Sequence, residues 1–333
     1  MKHLLIAALM ISGAVMSAQA ADCGKVTIAD MNWNSATLLS HIERFILEHA
    51  YGCDADLVPA DPMPTGAAMV ELGSPDIAPE VWAGSMGDAM DKGVAARQLV
   101  IAGHSLADGG EEGFWVPAYM VEKDASLATI EGIRKKASLF ASADHPGKSF
   151  FYGCPAGWSC QISTGNLFEA LKLSDAGFEM VEPGSAAGLA DSLARAYEGK
   201  EPWFGYYWSP TAILGKYRMK KVDFGTGIDE THYRDCITHK ECMDPQATMF
   251  PSTAIQVVAT SAFAKTHPEI MEFLGRLSLR NDEMNELLAW MEDNRADGKA
   301  AANHFLRNYE AVWSRWLSED EAAKIRSAVA GME

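Results

Sequence analysis

The feature that most constrains the fold of this chain is a regular alternation of strand and helix patterns. The segment KVTIAD at 25–30 predicts a strand, the apolar spacing after Asn34 predicts a helix, and CDADLVPA at 53–60 predicts a second strand. A strand–helix–strand unit implies parallel strands joined by a right-handed crossover. The alternation continues, and after a last strand pattern at 254–263 the chain is mostly helical in pattern. We therefore expect an α/β protein.

The first twenty residues have the pattern of a secretory signal peptide. Lys2 precedes an apolar run, and the sequence AQA at 18–20 has the form of a cleavage site. No leucine-containing lipid-attachment motif precedes Cys23, the first cysteine. We expect residues 1–20 to be removed and the remaining chain to be exported without a lipid anchor.

Charge and length narrow the classes of function. The 333 residues carry a formal net charge of −17, which disfavours nucleic acid and anionic membrane surfaces as partners. No later apolar run approaches the roughly 20 residues that a membrane span requires. The chain that remains after cleavage is long enough for two domains.

Six cysteines in an exported chain predict three disulfides. Fifteen pairings are formally possible, and proximity along the chain favours three of them, namely Cys23–Cys53, Cys154–Cys160 and Cys236–Cys242. The segment CITHKEC, with His239 between the last two cysteines, is a weaker candidate for a metal site. Because no fourth ligand is spaced nearby and export favours oxidation, we expect a disulfide and no metal.

Motifs for catalysis are missing from the sequence. It contains no G-x-S-x-G, H-E-x-x-H, Walker A or G-x-G-x-x-G pattern, so neither a catalytic residue nor a cofactor is predicted. An exported hydrolase or lyase stays open as an alternative, although no nucleophile, base or metal set can be named for it.

Four tryptophans occupy equivalent positions at the ends of predicted strands: Trp33, Trp82, Trp158 and Trp208. In open α/β sheets, ligands bind outside the carboxyl ends of the strands, so these side chains are predicted to share one crevice. Indole faces attract cations whose charge is spread over methyl groups. Three further tryptophans, Trp290, Trp313 and Trp316, have helical spacing in the last segment and are expected to pack in the core.

The segment GCPAGWSC at 153–160 adds a second recognition element. Ser159 and Cys160 precede the helix pattern ISTGNLFEALKL, and the first backbone N–H groups of a helix form an anion site. An indole beside such a site suits a zwitterion with a methylated cation and a carboxylate. Asp30, Glu80 and Glu112 are candidate acids for a ligand with net positive charge.

At these residues the chain resembles the periplasmic substrate-binding proteins of ABC importers for glycine betaine, proline betaine and choline. GCPAGWSC, YYWSP and VWAGS are similar to segments of that family that carry its aromatic box. The resemblance implies that Trp82, Trp158 and Trp208 form the box and that Ser159 and Cys160 bind a carboxylate. It also implies Trp33 as a fourth wall, shared with choline- and betaine-type relatives. Trp115, near the first crossing, is a further candidate for ligand contact, with packing at the hinge as the alternative.

The resemblance implies a type II periplasmic-binding-protein fold, with two α/β lobes joined by two crossing strands near VPAYMVE and PSTAIQV. The lobes would comprise residues 21–118 with 254–333, and residues 119–253. The family has a glycine where this chain has Ser159, and the added hydroxyl bears on which headgroup fits.

The function that the resemblance implies is capture of a betaine-like methylated ammonium osmolyte in the periplasm. The protein, expected to be a monomer, would deliver the ligand to a membrane permease driven by an ATPase. Glycine betaine is the expected ligand, and choline, trimethylamine N-oxide and dimethylsulfoniopropionate are the alternatives within the same class.

Overall fold

A computed structural model of the chain describes residues 23–142 and 145–332, so the predicted signal peptide lies outside the described residues. The strands are β1 (Lys25–Met31), β2 (Asp54–Ala60), β3 (Ile77–Trp82), β4 (Leu99–Pro117), β5 (Ala141–Ser142), β6 (His145–Tyr152), β7 (Phe178–Val181), β8 (Gly205–Ser209), β9 (Met219–Lys221) and β10 (Thr253–Thr260).

The α-helices are α1 (Asn34–Ile46), α2 (Pro62–Glu71), α3 (Asp88–Ala95), α4 (Ala118–Lys123), α5 (Ile130–Lys135), α6 (Cys160–Ala170), α7 (Ala186–Gly199), α8 (Ala212–Lys216), α9 (Glu230–His232), α10 (Ser261–Thr266), α11 (Pro268–Arg276), α12 (Asn281–Asn294), α13 (Gly298–Asn308), α14 (Glu310–Trp313) and α15 (Glu319–Ala330). Short 3₁₀ or π turns span Leu47–Tyr51, Ala125–Ala128, Ala137–Phe140, Tyr233–Ile237 and Ser314–Trp316. The prediction of an α/β protein is confirmed.

The strands form one mixed sheet. Its order is β2-β1-β3-β10-β4-β8-β6-β5, with β7 beside β6 and β9 beside β4. Strand β1 pairs in parallel with β2 from Lys25 opposite Asp54 to Met31 opposite Ala60, and it pairs in parallel with β3 as well. The strand–helix–strand unit predicted at the start of the chain is therefore present, with α1 as its crossover helix.

The long strand β4 belongs to both ends of the sheet. Its first part, Leu99–Gly110, pairs with β10, and its last part, Glu111–Trp115, pairs with β8. The crossing segment predicted at 116–122 begins too late, because the strand ends at Pro117 and α4 follows at once. Proline has no backbone N–H for a strand ladder, whereas its restricted φ suits the residue before a helix.

Two apolar regions form the core on either side of this shared strand. On one side, α1 buries Leu38, Leu39 and Ile42 against the sheet. On the other side, Phe114 of β4 contacts Phe151 of β6 with ring centroids 4.6 Å apart. Burial of such side chains contributes about 1.5–3 kcal/mol each, so both ends of the sheet have a substantial core of their own.

The last helices pack beside α1 and cover that end of the sheet. Trp313 and Trp316 are buried there, as the sequence predicted, and the ring of Trp316 stacks on Phe305. Trp290 is partly buried and stacks on His304. Within the described residues, no helix is both long and apolar enough to cross a membrane.

Candidate ligand-binding site

Four tryptophans line one cavity at strand ends. Trp33 lies between β1 and α1, Trp82 ends β3, Trp158 lies in the loop between β6 and α6, and Trp208 is near the end of β8. The parallel strands β1 and β3 bring Trp33 and Trp82 to one strand edge, and the parallel strands β6 and β8 bring Trp158 and Trp208 to another. The two pairs of strands run in opposite directions because β10 and β4 between them pair antiparallel, and the carboxyl ends of both pairs border the same cavity. The structure thus brings together all four tryptophans that the sequence pattern singled out.

The indole rings are arranged as adjoining walls. The ring centroid of Trp158 lies 5.0 Å from that of Trp33 and 5.1 Å from that of Trp208, with interplanar angles of 69° and 70°. Edge-to-face contacts of this kind are favourable for aromatic pairs and fix the rings relative to one another. The walls therefore present faces in different directions around a shared space.

The carboxyl group of Glu80 holds two of the rings by hydrogen bonds to their N–H edges. Its Oε1 atom accepts hydrogen bonds from the indole Nε1 of Trp33 at 2.7 Å and of Trp82 at 2.9 Å, and from Ser35 Oγ at 3.0 Å. Burial raises the pKa of Glu80, and these three hydrogen bonds oppose the rise. Glu80 is fully buried and is not among the residues that line the cavity.

Asn32 holds the ring of Trp158 and is a residue that the sequence analysis did not identify. Its Oδ1 accepts a hydrogen bond from Trp158 Nε1 at 3.0 Å, and its Nδ2 donates to Asp61 Oδ1 at 2.5 Å. The two partners Asn32 and Trp158 are 126 residues apart. Only its place next to Trp33 in MNWNS could have indicated its role.

The loop that carries Trp158 is closed by the predicted disulfide between Cys154 and Cys160. Gly157 precedes the tryptophan with φ of +88°, a conformation that residues with a Cβ rarely adopt. Ser159 and Cys160 line the cavity at the start of α6, and Ser159 makes no side-chain capping hydrogen bond. The first N–H groups of this eleven-residue helix lack intrahelical acceptors and form a site suited to an anion.

Glu112, Tyr206 and Ser85 are further polar residues of the cavity lining. The phenol of Tyr206 donates a hydrogen bond of 2.6 Å to Glu112 Oε1, and Thr253 Oγ1 lies 3.5 Å from Glu112 Oε2. Burial raises the pKa of Glu112. Tyr206 was missed at the sequence level, although its position two residues before Trp208 on one strand predicts that both side chains share a face.

Two other candidates lie elsewhere. Trp115 is buried, donates its indole N–H to the carbonyl oxygen of Tyr207 at 3.1 Å, and is not among the residues that line the cavity. Asp30 accepts a hydrogen bond from Ser40 Oγ at 2.9 Å and is also outside the cavity lining.

The remaining cysteines also pair as predicted, in the disulfides Cys23–Cys53 and Cys236–Cys242. His232 lies close to the second of these, but the bonded sulfurs are no longer thiolates that could bind a metal. His239, the residue that the C-x2-H-x2-C spacing suggested as a ligand, has its Nδ1 3.5 Å from Asp88 Oδ1. The metal interpretation of this segment is therefore wrong for the oxidised protein.

Comparison with known proteins identifies the family. Residues 24–308 match the family model described as the substrate binding domain of ABC-type glycine betaine transport systems. The chain belongs to this family. Its members are substrate-binding proteins of transport systems, and this family member has the same α/β architecture as their solved structures.

Individual relatives are distant in sequence. The glycine betaine/proline betaine-binding periplasmic protein of Escherichia coli K12 is 24% identical over 194 residues, which are 57% of this chain and 58% of that protein. A glycine betaine and L-proline-binding protein of Borrelia burgdorferi superposes with a TM-score of 0.70 at 17% identity, covering 90% of this chain and 99% of that one.

A choline-binding protein in complex with choline gives the same TM-score of 0.70 at 17% identity, covering 92% of this chain and 98% of that one. Similarity at this level of identity establishes the shared fold. The predicted type II periplasmic-binding-protein fold is confirmed by it.

Proposed function

We propose that this family member captures a small betaine-like methylated ammonium compound, with glycine betaine as the first candidate. The observation that carries the proposal is the convergence of four indole rings on one cavity that also contains a helix N-terminus. After capture, the protein would deliver the ligand to a membrane permease driven by an ATPase, and no chemical step is assigned to it.

The physical basis is the match between indole faces and a cation without N–H groups. A quaternary ammonium spreads its charge over methyl groups and cannot be satisfied by hydrogen bonds, so an aromatic enclosure is a suitable replacement for water. Each indole face contributes about 0.5–2 kcal/mol in such settings. Because the rings are already held by Glu80 and Asn32, little conformational entropy is lost when the ligand binds.

The polar ends of the cavity orient a zwitterion. The N–H groups of Ser159 and Cys160 would receive the carboxylate, at the positive end of the α6 dipole. Glu112, when ionised, would attract the methylated cation and repel the carboxylate. A betaine placed with its two charges between these groups satisfies both.

Glu112 also defines the second candidate. A carboxylate in the cavity lining favours a ligand with net positive charge, such as choline, over a net-neutral zwitterion. In its protonated form, Glu112 would instead donate a hydrogen bond to an acceptor oxygen, as trimethylamine N-oxide has. The protonation state of one side chain therefore separates the candidate ligands.

The two-lobe division predicted from sequence, 21–118 with 254–333 and 119–253, forms part of the proposal. Several contacts join these segments, among them the hydrogen bond from Trp158 to Asn32 and, outside the cavity lining, the ion pair in which Lys216 Nζ lies 2.7 Å from Glu292 Oε1. Closure of the lobes on the ligand would form such contacts, as in other hinge-closing binding proteins. The three disulfides and the periplasmic relative support a periplasmic location.

Calorimetric titration of the protein with four ligands tests the proposal. Glycine betaine, choline, trimethylamine N-oxide and dimethylsulfoniopropionate should be compared side by side at one pH and salt concentration. We expect saturable one-to-one binding of at least one of them, with glycine betaine tightest. Heat of dilution alone for all four compounds would contradict the proposal.

A further inference from the structure

Glu80 has an unusual environment for a carboxyl group. One oxygen, Oε1, accepts three hydrogen bonds, two of them from cavity tryptophans, Trp33 and Trp82. The other oxygen, Oε2, is buried and has no hydrogen-bond partner among the described residues. The residue thus lies directly behind two walls of the cavity with part of its hydrogen-bonding capacity unused.

The charge of this carboxyl group is also unbalanced within the described part of the chain. Its three hydrogen-bond donors, two indole N–H groups and a hydroxyl group, are all uncharged. A buried carboxylate with no cation nearby is energetically costly. Removal of one partner from a buried ion pair, which leaves such an uncompensated charge, strongly destabilises proteins. The two indole rings that Glu80 contacts line the cavity, so a cation bound there would be separated from the carboxyl group by these rings.

We propose that Glu80 is a positioning and specificity-determining residue. Its carboxylate orients Trp33 and Trp82 through their N–H groups, and it acts across these rings as the counter-charge for the cation in the cavity. This inference rests on the proposed function, because it requires a cationic group between the indoles.

The mechanism combines two effects of one oxygen. The ionised carboxylate accepts hydrogen bonds from both indole N–H groups and so fixes the orientations of the rings. Charge-assisted hydrogen bonds of this kind are roughly twice as strong as neutral ones. The same negative charge polarises the rings, so their faces become more attractive to a cation. A ligand of equal shape without the positive charge gains only from the first effect.

The test compares glycine betaine with 3,3-dimethylbutanoate, in which carbon replaces the quaternary nitrogen. Both compounds have the same carboxylate and nearly the same shape, so the ratio of their Kd values measures the preference for the cation. Glu80→Gln keeps the size of the side chain and an acceptor oxygen but removes the charge. We expect this variant to lower the preference about tenfold relative to the unmodified protein.

Ser35→Ala is the matched control. It removes the third donor to Glu80 and leaves the charge and both indole hydrogen bonds in place. We expect the preference for the cation to be unchanged in this variant. The change in tryptophan fluorescence on ligand binding should also differ in Glu80→Gln, because the indole N–H groups of Trp33 and Trp82 lose their ionised acceptor.

If Glu80→Gln does not fold, Glu80→Asp carries the same test. The shorter side chain keeps the charge but cannot reach both indoles, so overall affinity should fall while the preference for the cation persists. Equal weakening of both ligands in Glu80→Gln, or loss of the preference in Glu80→Asp, would overturn the inference and leave the proposed function intact. Failure of the unmodified protein to bind any methylated ammonium compound would overturn both.

Discussion

Buried tryptophans occur in two regions of this protein, the helical region after β10 and the cavity, and their indole N–H groups are bound in different ways. In the helical region after β10, Trp313 is 1% exposed and donates its indole N–H to the backbone carbonyl of Leu306 at 2.9 Å. At the cavity, Trp33 and Trp158 are 7% and 6% exposed. Their indole N–H groups donate hydrogen bonds to the side chains of Glu80 and Asn32, respectively.

The difference shows that burial alone does not distinguish a core tryptophan from a binding tryptophan. Trp316 stacks on Phe305 inside a packed helical layer, so all its surface is used by neighbouring residues. At the cavity, Trp158 contacts Trp33 and Trp208 at interplanar angles of 69° and 70°, and the rings line a shared space. Position at strand ends and a ring face toward the cavity identify the second kind, whereas a side-chain acceptor for the N–H group does not, since Trp203 donates to Ser192 outside the cavity lining.

The largest expected effect is on stability, in the helical region. Trp313→Ala should lower the free energy of unfolding by about 3–5 kcal/mol, because it removes a fully buried ring. Urea denaturation followed by circular dichroism measures this. Trp290→Ala, at a partly buried position in the same region, should cost less, and the affinity of folded Trp313→Ala protein should be unchanged. Loss of binding in that folded variant would remove the distinction between the two groups.

The next effect is on affinity, at the cavity. Trp158→Ala and Trp208→Ala should each weaken binding of the preferred ligand tenfold or more, on the order of 1.4 kcal/mol or above, measured by calorimetric titration. Trp203→Ala is the matched control, since Trp203 is fully buried five residues before Trp208 but donates to Ser192 outside the cavity lining. It should lose stability and keep its affinity. Unchanged affinity in both cavity variants would contradict the proposal that the indole rings enclose the ligand.

A smaller effect should separate the two six-residue disulfide loops. Opening the Cys154–Cys160 loop by Cys154→Ser with Cys160→Ser should weaken binding about 3- to 10-fold, because Trp158 is no longer held before binding. The same double change at Cys236 and Cys242 should leave the affinity unchanged. Equal affinity of the first variant and the unmodified protein would show that the disulfide does not preorganise the cavity.

The smallest effect concerns pH at the cavity. Burial raises the pKa of Glu112 above its ordinary 4.5, so its carboxylate is present above that raised value and is lost as the pH falls through it. Affinity for choline should therefore decline at a higher pH than an exposed glutamate would cause. Glu112→Gln should flatten this part of the profile, whereas Trp313→Ala should not. A profile that is identical with and without Glu112 would exclude its carboxylate from the site.

Much of this site could be predicted from the sequence, because its main elements are local. The strand patterns place Trp33 and Trp82 at strand ends, and the cysteine spacing encloses Trp158 in a short loop. Parallel pairing within each end of the sheet then brings two of these tryptophans to one strand edge, and both edges border the cavity. The pairings Cys154–Cys160 and Cys236–Cys242 were predictable for the same reason, because each has a sequence separation of 6. Cys23 and Cys53, with a separation of 30, are brought together by the parallel pairing of β1 with β2.

The parts that were not predictable depend on contacts between distant segments. Glu80 is 45–47 residues from Ser35 and Trp33, and no spacing rule indicates that one oxygen accepts from both. Asn32 acquires its role only when the two ends of the sheet face each other, and Tyr206 meets Glu112 only through the pairing of β8 with β4. The first crossing was placed too late because apolar residues continue past Pro117 into α4, and the pattern does not separate the two elements.

The most direct test of the account is a crystal structure of the complex with glycine betaine. We expect the trimethylammonium group to lie within about 6 Å of the ring centroids of the four cavity tryptophans, Trp33, Trp82, Trp158 and Trp208. We expect the carboxylate to accept hydrogen bonds from the backbone N–H groups of Ser159 and Cys160. A ligand bound elsewhere, or bound in this cavity with its methyl groups turned away from the indole faces, would contradict it.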